Sequence, residues 1–273
     1  MKQKQTARVI SQQEIAPGIY DMWIATDLAD YAKPGQFICV YPKDKSTLLP
    51  RPISICEVDV EQKAMRIVYR VAGAGTAEFS TYHGGDSVDI MGTLGNGFPV
   101  EEGVGKKVML MGGGIGVPPI LELAKRMKIA NAEAKATVTG EPKSDDCIRV
   151  VVGYRDNHLF LKEDLDKYGD VYVACEDGSA GVKGNVMDAI AQEGLEADVI
   201  FACGPMPMLR AIKKYAAEKG IKAYISLEER MACGVGACLG CVVKTKEIDH
   251  HSHVHNARIC TDGPVYDAED VEI

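Results

Sequence analysis

The stretch Val108-Met-Leu-Met-Gly-Gly-Gly-Ile-Gly-Val-Pro-Pro119 decides the fold of the central part of this 273-residue chain. Its leading apolar residues predict a buried strand, its glycines a tight turn, and its closing prolines the first turn of a helix. In that order, backbone N–H groups and the helix dipole face an incoming anion. We interpret the turn around Gly114 and Gly116 as a phosphate cradle, with a plain strand-to-helix turn as the alternative.

Strands and helices alternate from residue 104 to residue 227. Apolar runs predict further strands at 148–152, 171–175, 199–203 and 223–227, with helices at 119–127, 162–167, 186–193 and 206–218. This order predicts a doubly wound, parallel α/β domain. Ligands gather at the carboxyl ends of such strands, so Cys203 and Gly204 should face the same crevice as the glycine turn. Ordinary packing of the Cys203 thiol is the alternative.

Residues 1–103 contain short apolar or alternating runs, at 9–10, 19–25, 36–41, 53–58, 64–71 and 87–91. Gly, Pro and Asp separate these runs, and only 76–82 has a helical pattern. Several short strands at this spacing predict an antiparallel β-barrel or sandwich.

Two polar motifs interrupt these predicted strands. Arg51 can clamp a diphosphate, Pro52 stiffens the turn, and the Ser54 hydroxyl can hydrogen-bond the polar edge of a heterocycle. Gly75 and Thr76 can bring backbone donors to phosphates. A surface turn with a salt-bridging arginine is the alternative.

Four of the nine cysteines crowd the last fifth of the chain, in the order Cys233-x4-Cys238-x2-Cys241-x18-Cys260. The N-terminus lacks the apolar stretch of a signal peptide, so thiol, metal or redox chemistry is expected rather than disulfides. The spacing matches the plant-type [2Fe–2S] pattern. Structural zinc is the alternative, although zinc sites more often use two C-x2–4-C pairs.

Four histidines lie between the last two of these cysteines: His250, His251, His253 and His255. A Rieske-type centre would replace two thiolates with imidazoles. Because all four cysteines are already present, we interpret the histidines as part of a solvated loop that can bind stray metal.

The composition, 46% hydrophobic and 26% charged, is typical of a soluble globular protein. A net charge of −8 argues against binding of nucleic acid by counterion release. The most apolar segment is broken by glycines and prolines, so no membrane span is predicted. We therefore expect a cytoplasmic protein without a nucleic-acid or membrane partner.

In chain order, these motifs resemble the ferredoxin–NADP reductase superfamily, in which a flavin barrel carries Arg-x-x-Ser and a nucleotide domain carries Gly-Gly-Gly-x-Gly and Cys-Gly-Pro. With the C-terminal cysteines and the segment Cys260-Thr-Asp-Gly-Pro-Val-Tyr266, nearly the whole chain resembles the electron-transfer subunits of type B dihydroorotate dehydrogenases. The resemblance implies an FAD-binding β-barrel at 1–103, an NAD-binding α/β domain at 104–227 and a small [2Fe–2S] domain at 228–273.

The resemblance also implies the residues of each site. FAD would be bound by Arg51, Pro52, Ile53, Ser54, Val68, Tyr69, Arg70, Gly75 and Thr76. The nicotinamide of NAD would lie near Cys203 and Gly204, with Gly114 and Gly116 nearby. The [2Fe–2S] cluster would be ligated by Cys233, Cys238, Cys241 and Cys260. Related reductases often place an aromatic residue where this chain has Ile53. Stacking on the flavin must therefore be weaker or come from elsewhere, with Tyr69 as the candidate.

Electron counting explains why these sites would share one chain. A [2Fe–2S] cluster passes single electrons, NAD⁺ accepts a hydride, and a flavin can hold one or two electrons, so the flavin would stand between them. The resemblance implies that a partner subunit oxidises dihydroorotate on its FMN, in pyrimidine biosynthesis. Its electrons would pass through this chain's cluster and FAD to NAD⁺, within a heterotetramer of two copies of each subunit.

Other functions stay open at this point. One is an NAD(P)H-linked flavin and iron–sulfur subunit of another complex, such as a transhydrogenase or hydrogenase; another is an oxygenase reductase. A zinc-stapled binding module without redox activity is the third. The choice between NAD and NADP is also open, because Arg155 can contact a 2′-phosphate whereas Glu176 and Asp177 can accept from a ribose hydroxyl.

Overall fold

A closed antiparallel barrel forms the N-terminal part of the protein, seen in a computed structural model that describes residues 3–137, 147–248 and 253–273. Its strands are β1 (Lys4–Ala16), β2 (Ile19–Ala25), β3 (Phe37–Tyr41), β4 (Arg51–Asp59), β5 (Ala64–Arg70) and β6 (Ser87–Leu94). Their order around the barrel is β1-β2-β5-β4-β3-β6. A short helix, α1 (Ala74–Phe79), connects β5 to β6. The predicted antiparallel barrel is confirmed.

Alternating side chains fill the barrel. Inward residues of all six strands, including Val9, Met22, Ile38, Ile67 and Ile90, are fully buried. Strand β1 is longer than the run 9–10 that predicted it, because its outward residues are polar and its register with β2 shifts twice. Period-two patterns are weak where a strand bulges in this way.

The α/β part follows the predicted alternation. Its first elements are β7 (Val108–Gly113), α2 (Val117–Thr137), β8 (Ile148–Tyr154), α3 (Lys162–Leu165) and β9 (Asp170–Cys175). They are followed by β10 (Val182–Lys183), α4 (Val186–Glu193), β11 (Val199–Cys203), α5 (Met206–Lys219) and β12 (Lys222–Ser226). These strands are parallel in the order β10-β9-β8-β7-β11-β12, so the doubly wound prediction is confirmed.

Helix α2 runs ten residues past the predicted end at residue 127. Its continuation is rich in alanine, which favours a helix. A tertiary contact also holds it, because the Asn131 side chain accepts the Gly105 N–H at 3.0 Å. The polar composition of residues 130–146 predicts a helix end followed by a loop, and residues 138–146 of that segment lie outside the described residues.

The C-terminal segment adds three short strands, β13 (Val242–Lys244), β14 (Asn256–Arg258) and β15 (Val265–Asp267). Strands β13 and β14 form a hairpin, whereas β15 pairs antiparallel with β12 and extends the α/β sheet. Asn96, just after the barrel, holds this segment too: its side chain donates to Val265 O at 2.7 Å and accepts Val265 N–H at 3.0 Å. The boundaries at residues 103 and 227 stay predictions.

Helices long and apolar enough to cross a membrane are absent from the described ranges.

Candidate functional site

The Arg51 motif begins strand β4 beside helix α1. The Arg51 guanidinium carbon lies 3.0 Å from the point that a Cβ at Gly75 would occupy, and its Nη1 donates to the Leu49 carbonyl at 2.7 Å. The Thr76 hydroxyl closes the neighbouring turn by accepting the Ala72 N–H at 2.9 Å. N–H groups in the first turn of a helix have no partner within it. A guanidinium and backbone donors therefore meet at one place, which suits a diphosphate.

Strand β5 separates its three predicted flavin residues onto two faces. Val68 points out of the barrel and packs with the α/β part, and Arg70 is exposed, its Nη2 3.5 Å from the point a Cβ at Gly114 would take. Tyr69 points inward: it stacks on Tyr20 at 5.9 Å and donates to the Gln12 side chain at 2.8 Å. The Tyr69 ring is therefore unavailable to a flavin, and the predicted stacking role is wrong.

The glycine turn sits at the point where the sheet order reverses. From β7 the chain passes to β8 on one side, whereas β11 lies on the other. A crevice at the carboxyl ends of β7 and β11 is the usual ligand site of such sheets. A Cβ at Gly116 would lie 2.3 Å from the Cys203 carbonyl oxygen and 2.7 Å from the Gly204 nitrogen. Glycine is required there because the two strand ends pack backbone against backbone.

Cys203 lies in this crevice beside Ser226, a residue that the sequence motifs did not indicate. Burial raises the pKa of the Cys203 thiol to about 12, although a hydrogen bond with the Ser226 side chain opposes the rise. The thiol is therefore protonated and neutral at neutral pH. Ser226 ends β12, the strand next to β11, and the carboxyl-end rule could have identified it.

The four clustered cysteines form two interacting pairs, Cys233 with Cys238 and Cys241 with Cys260. Cys241 and Cys260 are buried, whereas Cys238 is exposed. Among the described residues, no three His, Cys, Asp or Glu side chains gather around one point. Two such pairs, close enough that Cys233 also raises the pKa of Cys260, suit a [2Fe–2S] cluster, in which each iron takes two protein ligands.

Backbone N–H groups surround these sulfurs. The Val235 N–H donates to Cys233 Sγ at 3.4 Å, and the Gly236 N–H donates to Cys260 Sγ at 3.2 Å. Burial would raise the pKa of Cys233, but hydrogen bonds from the loop outweigh it and lower the pKa to about 7. Cys260 has the opposite balance: burial and the neighbouring Cys241 raise its pKa to about 12. The N–H donors stabilise the thiolates that metal binding needs.

Tyr266 adds a further sign that the loop is built around a group with acceptor atoms. Its hydroxyl is buried and has no hydrogen-bond partner within the described ranges. Burial raises its pKa, and the nearby Asp262, Cys241 and Cys260 raise it further. Buried donors without partners are rare, and the sulfur atoms of a cluster would accept this one. The donor set and its surroundings thus fit an iron–sulfur cluster.

The two described histidines between the last two cysteines lie on the surface. His253 and His255 are exposed, and a ring nitrogen of His255 lies 2.9 Å from the Lys246 carbonyl. His250 and His251 lie outside the described residues.

The cluster loop touches the barrel next to the Arg51 motif. Gly234 has a positive φ of 69°, and a Cβ there would lie 2.7 Å from Cys39 Sγ on β3. Cys39 stands directly across from Pro52 in the β3–β4 pairing. Adjacent strands are about 4.8 Å apart, so roughly one strand spacing separates the cluster loop from the predicted flavin motif.

Solved structures share this architecture. An NADH-dependent reduced ferredoxin–NADP oxidoreductase studied for flavin-based electron bifurcation matches all of this chain and 91% of its own, with 27% identity and a TM-score of 0.81. A ferredoxin NADP⁺ reductase from Neisseria gonorrhoeae, 14% identical, shares the fold over 84% of this chain and 95% of its own, with a TM-score of 0.64. Fold and site together define a reductase of the ferredoxin–NADP reductase type with an added iron–sulfur region.

Sequence relatives narrow this class. Residues 228–272 match the iron–sulfur cluster binding domain of dihydroorotate dehydrogenase B. Proteins of Bacillus cereus (strain AH187) and Bacillus anthracis (strain CDC 684 / NRRL 3495), both named dihydroorotate dehydrogenase B (NAD(+)), electron transfer subunit, are 42% identical to this chain over 269 residues, 97% of each. The chain belongs to this family of electron transfer subunits. The other redox complexes and the zinc module are not favoured.

Proposed function

We propose that this chain carries electrons from a dihydroorotate dehydrogenase catalytic subunit to NAD⁺, through a [2Fe–2S] cluster and FAD. The contact of Gly234 with Cys39, across from Pro52, carries the proposal. It brings the cluster loop next to the flavin motif, so a relay needs no further carrier between them. When bound, the two cofactors convert single electrons into the hydride that NAD⁺ accepts.

The barrel and helix α1 would hold the flavin. Arg51 would bind the diphosphate, supported by N–H groups of Gly75 and Thr76, and Ser54 would donate to the ring edge. The backbone of residues 68–70 would line the ring, with the Arg70 guanidinium close to the glycine turn. Ile53 is half-buried at the same strand end and would contact the ring with an apolar side chain.

The crevice between β7 and β11 would hold NAD. The turn at Gly114 and Gly116 would receive the phosphates, and Cys203 and Gly204 would border the nicotinamide. The protonated Cys203 thiol adds no negative charge there, which favours approach of a hydride.

The cysteines would ligate the cluster as two pairs. The exposed Cys238 marks the side from which electrons of a partner would enter, whereas the buried Cys241 and Cys260 face the protein interior. We further propose a partner that carries FMN, assembly as two copies of each subunit, and a cytoplasmic location. None of the nine cysteines, all of which lie in the described ranges, is in a disulfide, as expected in a reducing compartment.

An anaerobic assay of the two-subunit complex tests this function. Dihydroorotate and NAD⁺ should yield one NADH per dihydroorotate oxidised, only when this chain is present. A catalytic subunit that reduces NAD⁺ equally well without this chain would contradict the proposal.

A further inference from the structure

A buried polar contact joins helix α2 to the far end of strand β4. Glu122 is fully buried, and its Oε2 accepts the Val58 N–H at 3.0 Å. The Lys125 ammonium donates to the Val58 carbonyl at 2.7 Å and to Glu57 Oε1 at 3.2 Å. Both backbone groups of Val58 are therefore bound by side chains of the α/β part.

This contact replaces a missing strand. Strand β3 pairs with β4 only between Arg51 and Ser54, so β4 beyond Ile55 has an open edge on that side. Open backbone groups need partners when they are buried. Glu122 and Lys125 supply them, and the Arg126 guanidinium, 2.7 Å from Glu122 Oε1, balances the buried carboxylate.

A second ion cluster fixes the same interface. Arg66 of β5 binds Asp21 through two hydrogen bonds of 2.9 Å and reaches Glu57 at 3.2 Å. It also binds Asp164 of α3 at 2.9 Å. Glu57 thus connects Arg66 to Lys125, and barrel and α/β part are held by one continuous polar network.

The network joins the two elements that begin with the functional motifs. Strand β4 starts at Arg51, and helix α2 starts at Val117, right after the glycine turn. Glu122 lies five residues from Val117, about 7.5 Å along the helix axis. Glu122 and Lys125 border neither candidate cofactor site, yet they fix the glycine turn relative to the flavin strand.

We propose that Glu122 and Lys125 are positioning residues for hydride transfer, an inference that rests on the proposed function. They hold α2 on β4 so that the nicotinamide meets the flavin at reacting distance. Reacting atoms must approach to about 3–3.5 Å, and a misplacement of about 1 Å can cost roughly a hundredfold in rate. A small rotation of α2 would therefore slow the transfer without removing any group that binds cofactor.

The test measures the bleaching of the flavin by NADH in the full-length chain, by anaerobic rapid mixing at increasing NADH. Lys125→Met keeps the apolar stem and removes the ammonium; Glu122→Gln keeps the shape and removes the charge. We expect the rate constant at saturating NADH to fall about tenfold or more in both variants. The NADH dissociation constant and the FAD content should stay within about twofold of wild type, and Lys125→Arg should restore the rate.

Lys128→Met is the matched control, because Lys128 lies on the same helix but donates to the Lys167 carbonyl within the α/β part. Its rate constant should equal that of wild type. Wild-type rate constants in both Lys125→Met and Glu122→Gln would overturn the positioning role, as would an equal loss in Lys128→Met. A wild-type flavin that NADH does not bleach would instead overturn the proposed function, and the positioning role with it.

Discussion

At the scale of single residues, the thiols of this chain differ in the direction in which their pKa is shifted. Burial raises the pKa of Cys39 and Cys203 to about 12, whereas loop N–H donors lower that of Cys233 to about 7. Cys39 and Cys203 thus pack as neutral thiols, whereas in the clustered loop the N–H donors favour the thiolate of Cys233 and burial opposes that of Cys260.

Cys260→Ser should lose the cluster, because it removes one sulfur of the buried pair. Iron content and visible absorbance of the cluster should fall by more than half, and FAD should remain bound. Cys147→Ser, at a cysteine far from the loop in sequence, is the control. A full complement of iron and sulfide in Cys260→Ser would refute the ligand assignment.

Arg51→Ala should weaken FAD retention, since it removes the guanidinium from the proposed diphosphate site. Charge-assisted hydrogen bonds contribute about 1.5–3 kcal/mol, so the FAD dissociation constant should rise about tenfold or more. Flavin fluorescence after dilution and dialysis measures the loss. Arg8→Ala, on the exposed face of β1, should keep its flavin. Equal retention in both variants would count against the clamp.

At the scale of elements, the close packing of two strand ends shapes the crevice in which we propose that NAD binds. Gly116→Ala would place a methyl group 2.3 Å from the Cys203 carbonyl oxygen and push β7 and β11 apart. We expect a loss of about 1–3 kcal/mol in stability and weaker NADH binding, measured by thermal unfolding and by titration. In Gly153→Ala the new Cβ would lie 3.0 Å from a methyl group of Val186. This control variant should change the stability and the NADH affinity far less. Unchanged NADH affinity in Gly116→Ala would contradict the crevice.

The ion pair between β5 and α3 predicts a pH dependence. Burial raises the pKa of Asp164, but hydrogen bonds from Lys167 and Arg66 outweigh it and lower the pKa below its ordinary 3.8. A carboxyl group with a depressed pKa stabilises the fold above its unfolded pKa, and this contribution is lost as the pH falls through the folded pKa.

Asp164→Asn should therefore lower the free energy of unfolding by about 1–2 kcal/mol at neutral pH. The difference from wild type should shrink towards zero as the pH drops below about 3.8. Denaturant unfolding of both proteins at neutral and acidic pH measures this difference in the free energy of unfolding. A difference that persists at acidic pH would contradict its origin in the ion pair.

Sequence reasoning succeeded for elements with strong local patterns. The barrel strands, the strand–turn–helix that begins at Val108 and the cysteine spacing are short-range features, so neighbouring residues predict them. The predicted stacking of Tyr69 on the flavin is wrong because adjacent strand residues point to opposite faces of the sheet. The apolar run at 64–71 does not indicate which face lies inside the barrel. The contact of Glu122 with Val58 joins residues 64 positions apart, and no local pattern encodes it.

On the scale of the whole molecule, three parts share packed interfaces rather than flexible connections. Strand β15 completes the α/β sheet, Asn96 binds the segment before it, and Cys39 meets the cluster loop. Buried Cys241 and Cys260 belong to the same core as barrel residues Phe37 and Leu94. Fixed distances between parts are what a relay of electrons requires.

The most direct test is an anaerobic titration of the purified chain with NADH, following flavin absorbance and the electron paramagnetic resonance of the cluster together. NADH should reduce both groups in the wild type, and it should leave the cluster oxidised in flavin-free Arg51→Ala until FAD is added back. A cluster that NADH reduces equally well without flavin, or a folded wild-type chain holding neither group, would contradict this account.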